Sequence, residues 1–412
     1  MRIEIISKEV FTPFASKHFL KSFFQTTTYG DFANKGKYSS MYIGAYKDGK
    51  LVAASLILSK EISFKVKYGY APRGFLIDYF NTELLTEFTK AIKGFFFTRG
   101  YAFIKINPEI TYATIDYKNK TKQINKEREK LISTLKSLGY NKLKNSLYYS
   151  YILPKYTPII YLNEYQKKSN NLNDISKNGL NIKVGDLKDI DKFYTYLNTS
   201  YDKHTKDYYN VLYSEFSKTN SVDLLLIELN YSLYIKYLQK IYTEKQEEND
   251  KINTFFKQNP NDNELYHKKL ESDKELNDIN NSIALSNKRL ELTNMEVVGS
   301  ALIIKQDERA TLLSFGTKEI DKDVYVKTFI INSLLDKYKS ENFMFLDLYE
   351  IIGSLNDENI YSKKPDFKLE YNPSVYEYIG EFDLSISKTL HRILLTTNKL
   401  QKEFSRKVEI MD

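Results

Sequence analysis

The stretch MYIGAYKDGKLVAASLILS, residues 41–59, decides the fold of the first half of this sequence. Two apolar, β-rich runs flank Asp48-Gly49, a dipeptide that strongly signals a two-residue hairpin turn. Downstream, TELLTEFTKAIKGFF has helical periodicity with Thr82 as a candidate N-cap, and the strand-like YAFIKI of residues 101–106 follows. The order hairpin, helix and strand predicts one α/β unit.

The same order recurs in the second half of the chain. Residues 297–305 and 310–315 are expected to pair as strands, and a helix at 325–338 leads to the strand FMFLDL at 343–348. This order predicts two similar α/β units rather than one doubly wound sheet.

A long polar segment, residues 231–295, interrupts the second unit after the strand VDLLLIEL. Apolar positions spaced by three and four predict two helices, and QNPNDNE at 258–264 breaks them. We expect an antiparallel helical hairpin with a coiled-coil seam that contains several polar positions. From Lys236 to Glu291 there are ten Lys or Arg and eleven acidic residues, which argues against this arm alone holding nucleic acid.

These features predict the domain organisation. A first domain is expected over residues 1–155, a second over 156–230 and 296–385, the helical arm over 231–295, and a C-terminal helical tail over 386–412.

The charge is unevenly distributed. The chain has 61 Lys or Arg and 53 Asp or Glu, a formal charge of +8. From Lys118 to Lys155, ten basic residues face only Glu127 and Glu129, and a helix is predicted at 122–138. This stretch is either a site for an anionic partner, such as RNA or a sugar nucleotide, or a solvated helix face.

Composition excludes several classes of chemistry. The chain has no Cys, which excludes a disulfide framework and a thiolate nucleophile, and its four histidines are far apart, so no metal site is predicted. The start lacks the pattern of a signal peptide, and apolar runs are far shorter than the ~20 residues that span a bilayer. We expect a cytoplasmic protein, with contact at the inner membrane face left open.

Two strand ends carry candidate site residues. Arg73 lies in a turn of KYGYAPRGFLIDY, residues 67–79, and either contacts an anionic substrate or is solvated. Asn107 and Glu109 end the strand in IKINPEI, residues 104–110, where they either contact an amine or only form a turn.

Two further candidates lie later in the chain. Lys368 follows an aromatic residue in DFKLEYNPSVYEYIGEFDLSIS, residues 366–387, and either stabilises developing negative charge or snorkels at the surface. His204, in YDKHTKDYYNVLY, is a substrate contact, a general base or a structural residue.

Taken together, these segments resemble the Fem family of peptidoglycan aminoacyltransferases. The resemblance is carried, in the family's order around the arm, by FFQTTTYGDFANK (23–35), IGAYKDGKLVAASLIL (43–58), KYGYAPRGFLIDY, FIKINPE (103–109) and FKLEYNPSVYEYIGEFD (367–383). It implies two acetyltransferase-like (GNAT-type) domains with the helical arm inserted in the second.

The resemblance also implies a reaction. An amino acid moves from aminoacyl-tRNA, the co-substrate, to the stem-peptide amine of a peptidoglycan precursor, and no cofactor is required. The precursor is expected to be lipid-linked, with the UDP-linked form as the other possibility. Other implied associations are the inner membrane face and a homo- or hetero-dimer with sister enzymes.

Site roles follow from the same resemblance. Lys368 matches a lysine proposed to stabilise the oxyanion or the leaving ribose oxygen, and Tyr208 matches a substrate-contacting tyrosine. His204 stands where the family often has a phosphate-binding arginine, and Asn107 where many members have an aspartate. The predicted catalytic residues are thus Lys368 and Asn107, and the predicted substrate-binding residues are Arg73, His204 and Tyr208.

The sequence departs from the family at two more positions. Leu313-Ser314 replaces a usual tyrosine, and Tyr349-Glu350-Ile351 replaces a Gly-Gly-Ile element. The altered positions Asn107, His204 and Leu313-Ser314 motivate an alternative, a catalytically degenerate scaffold that binds tRNA, precursor or a partner. A third hypothesis, transfer from an acyl-CoA donor, is disfavoured because no Gly-rich pyrophosphate-binding turn is visible in either half.

Overall fold

The computed structural model describes residues 1–63, 66–143, 153–165, 178–197, 204–318, 320, 325–351 and 366–396. Their strands are β1 (Arg2–Ile5), β2 (Ser39–Lys47), β3 (Lys50–Ser63), β4 (Val66–Ala71), β5 (Tyr101–Ile106), β6 (Thr111–Asp116), β7 (Thr121–Ile124), β8 (Tyr140–Lys142), β9 (Tyr156–Tyr161), β10 (Leu180–Val184), β11 (Val222–Asn230), β12 (Met295–Gln306), β13 (Arg309–Thr317), β14 (Phe345–Asp347), β15 (Ser374–Tyr378) and β16 (Phe382–Ser385).

Helices cover the sheets and form the inserted arm. They are α1 (Lys8–Lys17), α2 (Thr27–Asn34), α3 (Thr82–Phe97), α4 (Lys126–Ser137), α5 (Ile190–Tyr196), α6 (Lys206–Ser217), α7 (Tyr231–Gln258), α8 (Asn263–Leu290), α9 (Val326–Ser340) and α10 (Lys388–Thr396). Short 3₁₀ turns lie at Phe23–Gln25, Leu187–Asp189 and Phe367–Tyr371.

The strands form two mixed sheets. The first has the order β1-β2-β3-β4-β5-β16-β8, and the second β10-β11-β12-β13-β14-β9-β15-β6-β7. Each sheet contains one parallel pair joined by a helix, β4 and β5 by α3, and β13 and β14 by α9. The predicted α/β class, with hairpin, helix and strand occurring twice, is confirmed.

The predicted hairpin turn is present between β2 and β3. Lys47 pairs with Lys50, and the two residues between them, Asp48 and Gly49, have φ of 51° and 76°. These left-handed conformations match the twist of the flanking strands, and Gly adopts them without steric cost.

The sheets do not follow the predicted domain boundaries at two places. β6 and β7, from the predicted first domain, lie in the second sheet, and β16, from the predicted second domain, lies in the first. The chain crosses between the sheets at residues 107–110 and again at 379–381, and these crossings touch, because Ile379 N donates to Ile110 O at 2.9 Å. Each crossing strand finds its backbone partners in the other sheet, which periodicity alone does not reveal.

Two predicted helix starts are wrong. Residues 122–124 belong to β7, which pairs with β6, so α4 begins only at Lys126. Asn125 starts this helix because its side chain accepts a hydrogen bond from Glu127 N. Similarly, the N-cap of α3 is Asn81, not Thr82, since the Asn81 side chain accepts from Leu84 N. Asn is a strong N-cap because its short side chain reaches the unpaired amides of the first turn.

The central part of the second sheet is buried on both faces. Along β11, Leu224 packs into a core shared with the first sheet, whereas Leu225 and Ile227 pack on the other side, against α7 and α9. Successive side chains of a strand point to opposite faces, so an uninterrupted apolar run such as VDLLLIEL is expected for a strand covered on both sides.

The insertion consists of α7 and α8, each of 28 residues, which pack against each other between β11 and β12. At its middle, Asn249 is buried and donates to Ser272 Oγ at 3.0 Å and Asp273 Oδ1 at 2.8 Å. Asp262 caps α8 after the short break that the sequence predicts. Of the predicted C-terminal helical tail, α10 is helical, and residues 397–412 lie outside the described residues.

We expect Gly316→Ala to destabilise the protein by about 1–3 kcal/mol. Gly316 lies in β13 against the end of α5, where an added Cβ would overlap the backbone carbonyl of Tyr196. The matched control is Gly94→Ala in α3, where a Cβ meets nothing within 4 Å, and we expect a gain of about 0.5–1 kcal/mol from helix propensity. Urea unfolding of both variants measures the difference. Equal urea midpoints for the two variants would show that β13 and α5 can move apart with little loss of folding free energy.

Candidate functional site

Parallel strands bring the first candidate residues together. The carboxyl ends of neighbouring parallel strands meet at one sheet edge, so the residues after β4 and β5 become neighbours. Arg73 N donates to Asn107 Oδ1 at 2.8 Å, and Asn107 Nδ2 donates to the Tyr70 hydroxyl at 2.9 Å. Arg73 is 5% exposed and Asn107 3%. A solvated Arg73 is therefore the wrong alternative.

The Arg73 side chain points between the two sheets. Its guanidinium lies 4.6 Å from the centre of the Tyr378 ring and donates to the Pro154 carbonyl at 3.0 Å. Its Nε is 3.9 Å from Glu109 Oε2. Glu109, which the sequence places at a strand end, thus belongs to the same cluster as Arg73.

Glu109 also pairs with Arg309 from the second sheet. Arg309 Nη1 contacts Glu109 Oε1, and the Tyr378 hydroxyl donates to the same oxygen at 3.1 Å. Burial by itself raises the pKa of Glu109, but the Arg309 and Arg73 guanidiniums outweigh it and lower this pKa. Glu109, whose side chain is 14% exposed, is therefore a largely buried, ionised carboxylate that holds two cations.

Asp347, the last residue of β14, is the second carboxylate of this cluster. Its Oδ1 accepts a hydrogen bond from Tyr349 N at 2.7 Å, and its Oδ2 lies 3.8 Å from Arg309 Nη1. Burial raises the pKa of Asp347 to about 6, against the opposing effect of Arg309. The cluster thus combines one strongly ionised carboxylate with one that titrates near neutrality.

Lys368 is buried rather than snorkelling at the surface. It lies in the 3₁₀ turn Phe367–Tyr371 and is 4% exposed. Its Nζ donates to the carbonyls of Leu348 at 3.0 Å and Glu350 at 2.7 Å, and lies 5.6 Å from the centre of the Phe315 ring. The ammonium is fixed against the segment that follows Asp347.

Tyr208 and His204 form a stacked pair. Their ring centroids are 3.8 Å apart with 6° between the planes. Thr205 caps α6 by accepting from Tyr208 N, which sets Tyr208 in the first helical turn, and the Tyr208 ring also packs edge-on against Phe32 of α2. A stacked, partly buried His204 is held as a planar surface beside Tyr208.

Tyr349 connects these groups. Burial raises its pKa well above the usual value, the neighbouring Tyr208 and Glu350 raise it further, and Arg73 lowers it. Tyr349 is therefore within electrostatic reach of Tyr208 and Arg73, while Lys368 binds the carbonyls on either side of it. Of the predicted residues, Lys368 binds the segment 348–350 directly, and Arg73 lines one cavity together with Tyr349. Asn107 is bonded to Arg73, and His204 is stacked on Tyr208.

Sequence reasoning missed Arg309, Asp347 and Tyr378 as members of the site. Asp347 has a weak signal, since it is the one charge in FMFLDL, an otherwise apolar strand. Arg309 directly follows a turn, where a charged residue is common, and Tyr378 is one of 35 tyrosines. Tyr349 was noted only as a departure from a family pattern.

Two cavities adjoin the cluster. A small one of about 20 Å³ is lined by Arg73, Glu109, Arg309, Asp347, Tyr349 and Tyr378, among others. A larger, open one of about 250 Å³ shares Glu109, Arg309 and Tyr378 with it, and Tyr161, Phe345 and Tyr376 line its walls. The charged cluster thus lies at the base of a crevice large enough for part of a substrate.

The fold has known counterparts. The solved structure of FemX superposes with a TM-score of 0.67 and 17% identity, covering 96% of this chain and 100% of that chain. An aminoacyltransferase FemA of Staphylococcus epidermidis is 22% identical over 375 residues, 86% of this chain and 88% of the relative. Another, from Staphylococcus aureus, is 20% identical over 431 residues, 97% of this chain and 99% of the relative.

These full-length similarities define the class of the protein as an aminoacyltransferase. The chain belongs to the FemAB family, whose sequence model matches residues 6–399. The predicted family membership is confirmed.

No helix within the described ranges is both long enough and apolar enough to pass through a bilayer.

Proposed function

We propose that the protein transfers an amino acid from aminoacyl-tRNA to the side-chain amine of the stem peptide in a lipid-linked peptidoglycan precursor, extending the interpeptide bridge. The observation that carries this proposal is the surroundings of the segment 348–350: Lys368 binds its carbonyls, and Tyr349 lines, together with Arg73, a cavity between the two sheets. Asn107 holds the turn that carries Arg73. Membership of the FemAB family supports the same reaction class.

The chemistry makes modest demands on the protein. An aminoacyl ester is already activated, so positioning of the amine and stabilisation of the tetrahedral oxyanion supply most of the barrier reduction. The buried Lys368 ammonium serves the second task, because low local polarity strengthens its interaction with developing negative charge.

Asn107 acts through Arg73 in this proposal. Its amide bonds both the Arg73 main chain and the Tyr70 hydroxyl, so it holds the turn that carries the guanidinium. An amide does not titrate, so proton transfer falls to another group. Arg73, together with the His204 and Tyr208 surface, is then available to contact the precursor.

A transfer assay tests the proposal. The purified protein is incubated with a set of charged tRNAs and with either lipid-linked or UDP-linked precursor, and the products are read by mass spectrometry. We expect the mass of one amino acid to be added to the lipid-linked form. Transfer to the UDP-linked form alone would correct the acceptor. Binding of tRNA or precursor without transfer from any charged tRNA would instead favour the scaffold alternative.

A further inference from the structure

The Asp347 side chain faces the crevice. Thr311 of β13 pairs with Asp347 of β14, and Arg309 lies two residues before Thr311, so all three side chains share one face of the second sheet. This face looks toward the turns that carry Arg73 and Glu109, and the small cavity lies between them. The Asp347 side chain is 8% exposed.

The two carboxylates of the cluster are bonded differently. Glu109 Oε1 forms an ion pair with Arg309 and accepts a hydrogen bond from the Tyr378 hydroxyl, and Glu109 Oε2 faces Arg73. Among these groups, only the Tyr349 amide donates a hydrogen bond to Asp347 Oδ1. Asp347 Oδ2 lies 3.8 Å from Arg309 Nη1, which is too far for a hydrogen bond. Asp347 is thus the carboxylate with an oxygen positioned to receive another donor.

The space beside Asp347 fits one such donor. The small cavity of about 20 Å³ matches the ~10–15 Å³ that one water-sized group occupies, and an amine nitrogen is of similar size. Lys368 lies against the same segment, bonded to the carbonyls of Leu348 and Glu350. A nitrogen in the cavity would therefore lie beside a proton acceptor, with Lys368 bonded to the segment that directly follows this acceptor.

Resting on the proposed function, we infer that Asp347 is the proton acceptor of the transfer reaction. The substrate ammonium gives one proton to the Asp347 carboxylate and becomes a neutral amine. The amine then forms a C–N bond with the ester carbonyl, and the C–O bond to the tRNA ribose breaks. The second proton of that nitrogen passes to the leaving ribose oxygen, and Asp347 releases its proton to solvent afterwards.

The electrostatics of the cluster suit this role. Burial raises the pKa of Asp347 to about 6, Arg309 and Arg73 lower it, and Glu109 raises it. Tyr378 of β15 and Tyr349 also face the carboxylate. A base is most effective when its pKa lies near the working pH. The ionised form, which accepts the proton, accumulates as the pH rises through about 6, so transfer should rise with it.

The activity test compares Asp347→Asn with Asp307→Asn. The amide introduced by Asp347→Asn keeps an oxygen for Tyr349 N but does not titrate, and Asp307 is an exposed turn residue paired with Lys21. We expect the first variant to transfer about 10²–10⁴-fold more slowly in single turnover and to lose the acidic limb of the pH profile, with the control unchanged. A rate within about threefold of wild type, or an unchanged acidic limb, would overturn the inference.

A second readout does not require turnover. In protein labelled with carboxyl-¹³C aspartate, the Asp347 resonance is assigned by its loss in Asp347→Asn and titrated with precursor or with amine-acetylated precursor. We expect a midpoint near 6 that shifts with the free amine only. No titration near this pH, or equal shifts with both ligands, would refute the role. If the wild-type protein transfers no amino acid, the proposed function fails. The titration with free-amine and acetylated precursor then still decides whether the amine binds at Asp347.

Discussion

Replacing Lys368 by methionine is expected to slow aminoacyl transfer by about 10²–10³-fold, because a buried donor to the oxyanion is lost. Lys368 is 4% exposed, and its Nζ is held by the carbonyls of Leu348 and Glu350. The cation is therefore placed before the reaction, and no reorganisation is required when charge develops. The loss should appear in the rate of the chemical step, with little change in precursor affinity.

The control for Lys368 is its neighbour Lys327. Lys327 is exposed on α9, and its Nζ lies 5.9 Å from the centre of the Phe367 ring. Lys327→Met therefore removes a positive charge beside the same turn but leaves the buried Lys368 ammonium in place. Single-turnover rates and precursor binding are compared for both variants, with circular dichroism confirming the fold. Full activity in folded Lys368→Met would remove Lys368 from the oxyanion role. Equal losses in both variants would indicate a general effect of charge.

Replacing Arg309 by methionine is expected to destabilise the protein by about 3 kcal/mol, because it removes one of the two cations that Glu109 holds and a guanidinium beside Asp347. Glu109 and Asp347 both depend on this guanidinium. Without it, burial is opposed only by Arg73 among these cations, so the pKa of each carboxyl rises and the folded state favours the protonated forms more than in the wild type. Such groups contribute stability at low pH and lose it as the pH rises through their folded-state pKa. The destabilisation should therefore be larger at pH 8 than at pH 5.

Urea unfolding at both pH values measures the effect of Arg309→Met. Arg99→Met, which removes an exposed arginine lying over Phe95, is the matched control and should change stability little. In the double variant Glu109→Gln, Arg309→Met, part of the loss should be recovered, since one unpaired charge is gone. A loss independent of pH and unrelieved by Glu109→Gln would attribute the effect to packing rather than to charge.

Local pattern predicted much of the fold. The turn at Asp48-Gly49, the helix α9 and the strand β14 all lie within a few residues of their predicted positions. Each depends on neighbours along the chain: turn conformation, a helical repeat or a short apolar run. The strand β7 was predicted as helix because its four residues are polar and precede a helix directly. Only its pairing with β6 identifies it as a strand.

The candidate site was predictable in part. A resemblance to the Fem family singled out Asn107, Tyr208 and Lys368. In the structure Asn107 is bonded to Arg73 and Lys368 to the carbonyls on either side of Tyr349, and Arg73 and Tyr349 line the same cavity. Their catalytic and binding roles stay predictions. Arg309 and Asp347 could not be selected from the sequence, because a charged residue beside a turn or at a strand end is ordinary in solvent. They become significant only because folding places both beside Glu109, around one small cavity.

The sequence by itself determined the two α/β units, the inserted helices and the absence of cysteine chemistry, since each follows from composition or from spacing within one segment. The tertiary structure alone decided that β16 joins the first sheet while β6 and β7 join the second. Because of this exchange, the segments 107–110 and 379–381 lie side by side between the sheets. Glu109 therefore contacts Arg309, which is 200 residues further along the chain. Electrostatic energy depends on distance and burial, and neither is encoded in the order of residues until the chain is folded.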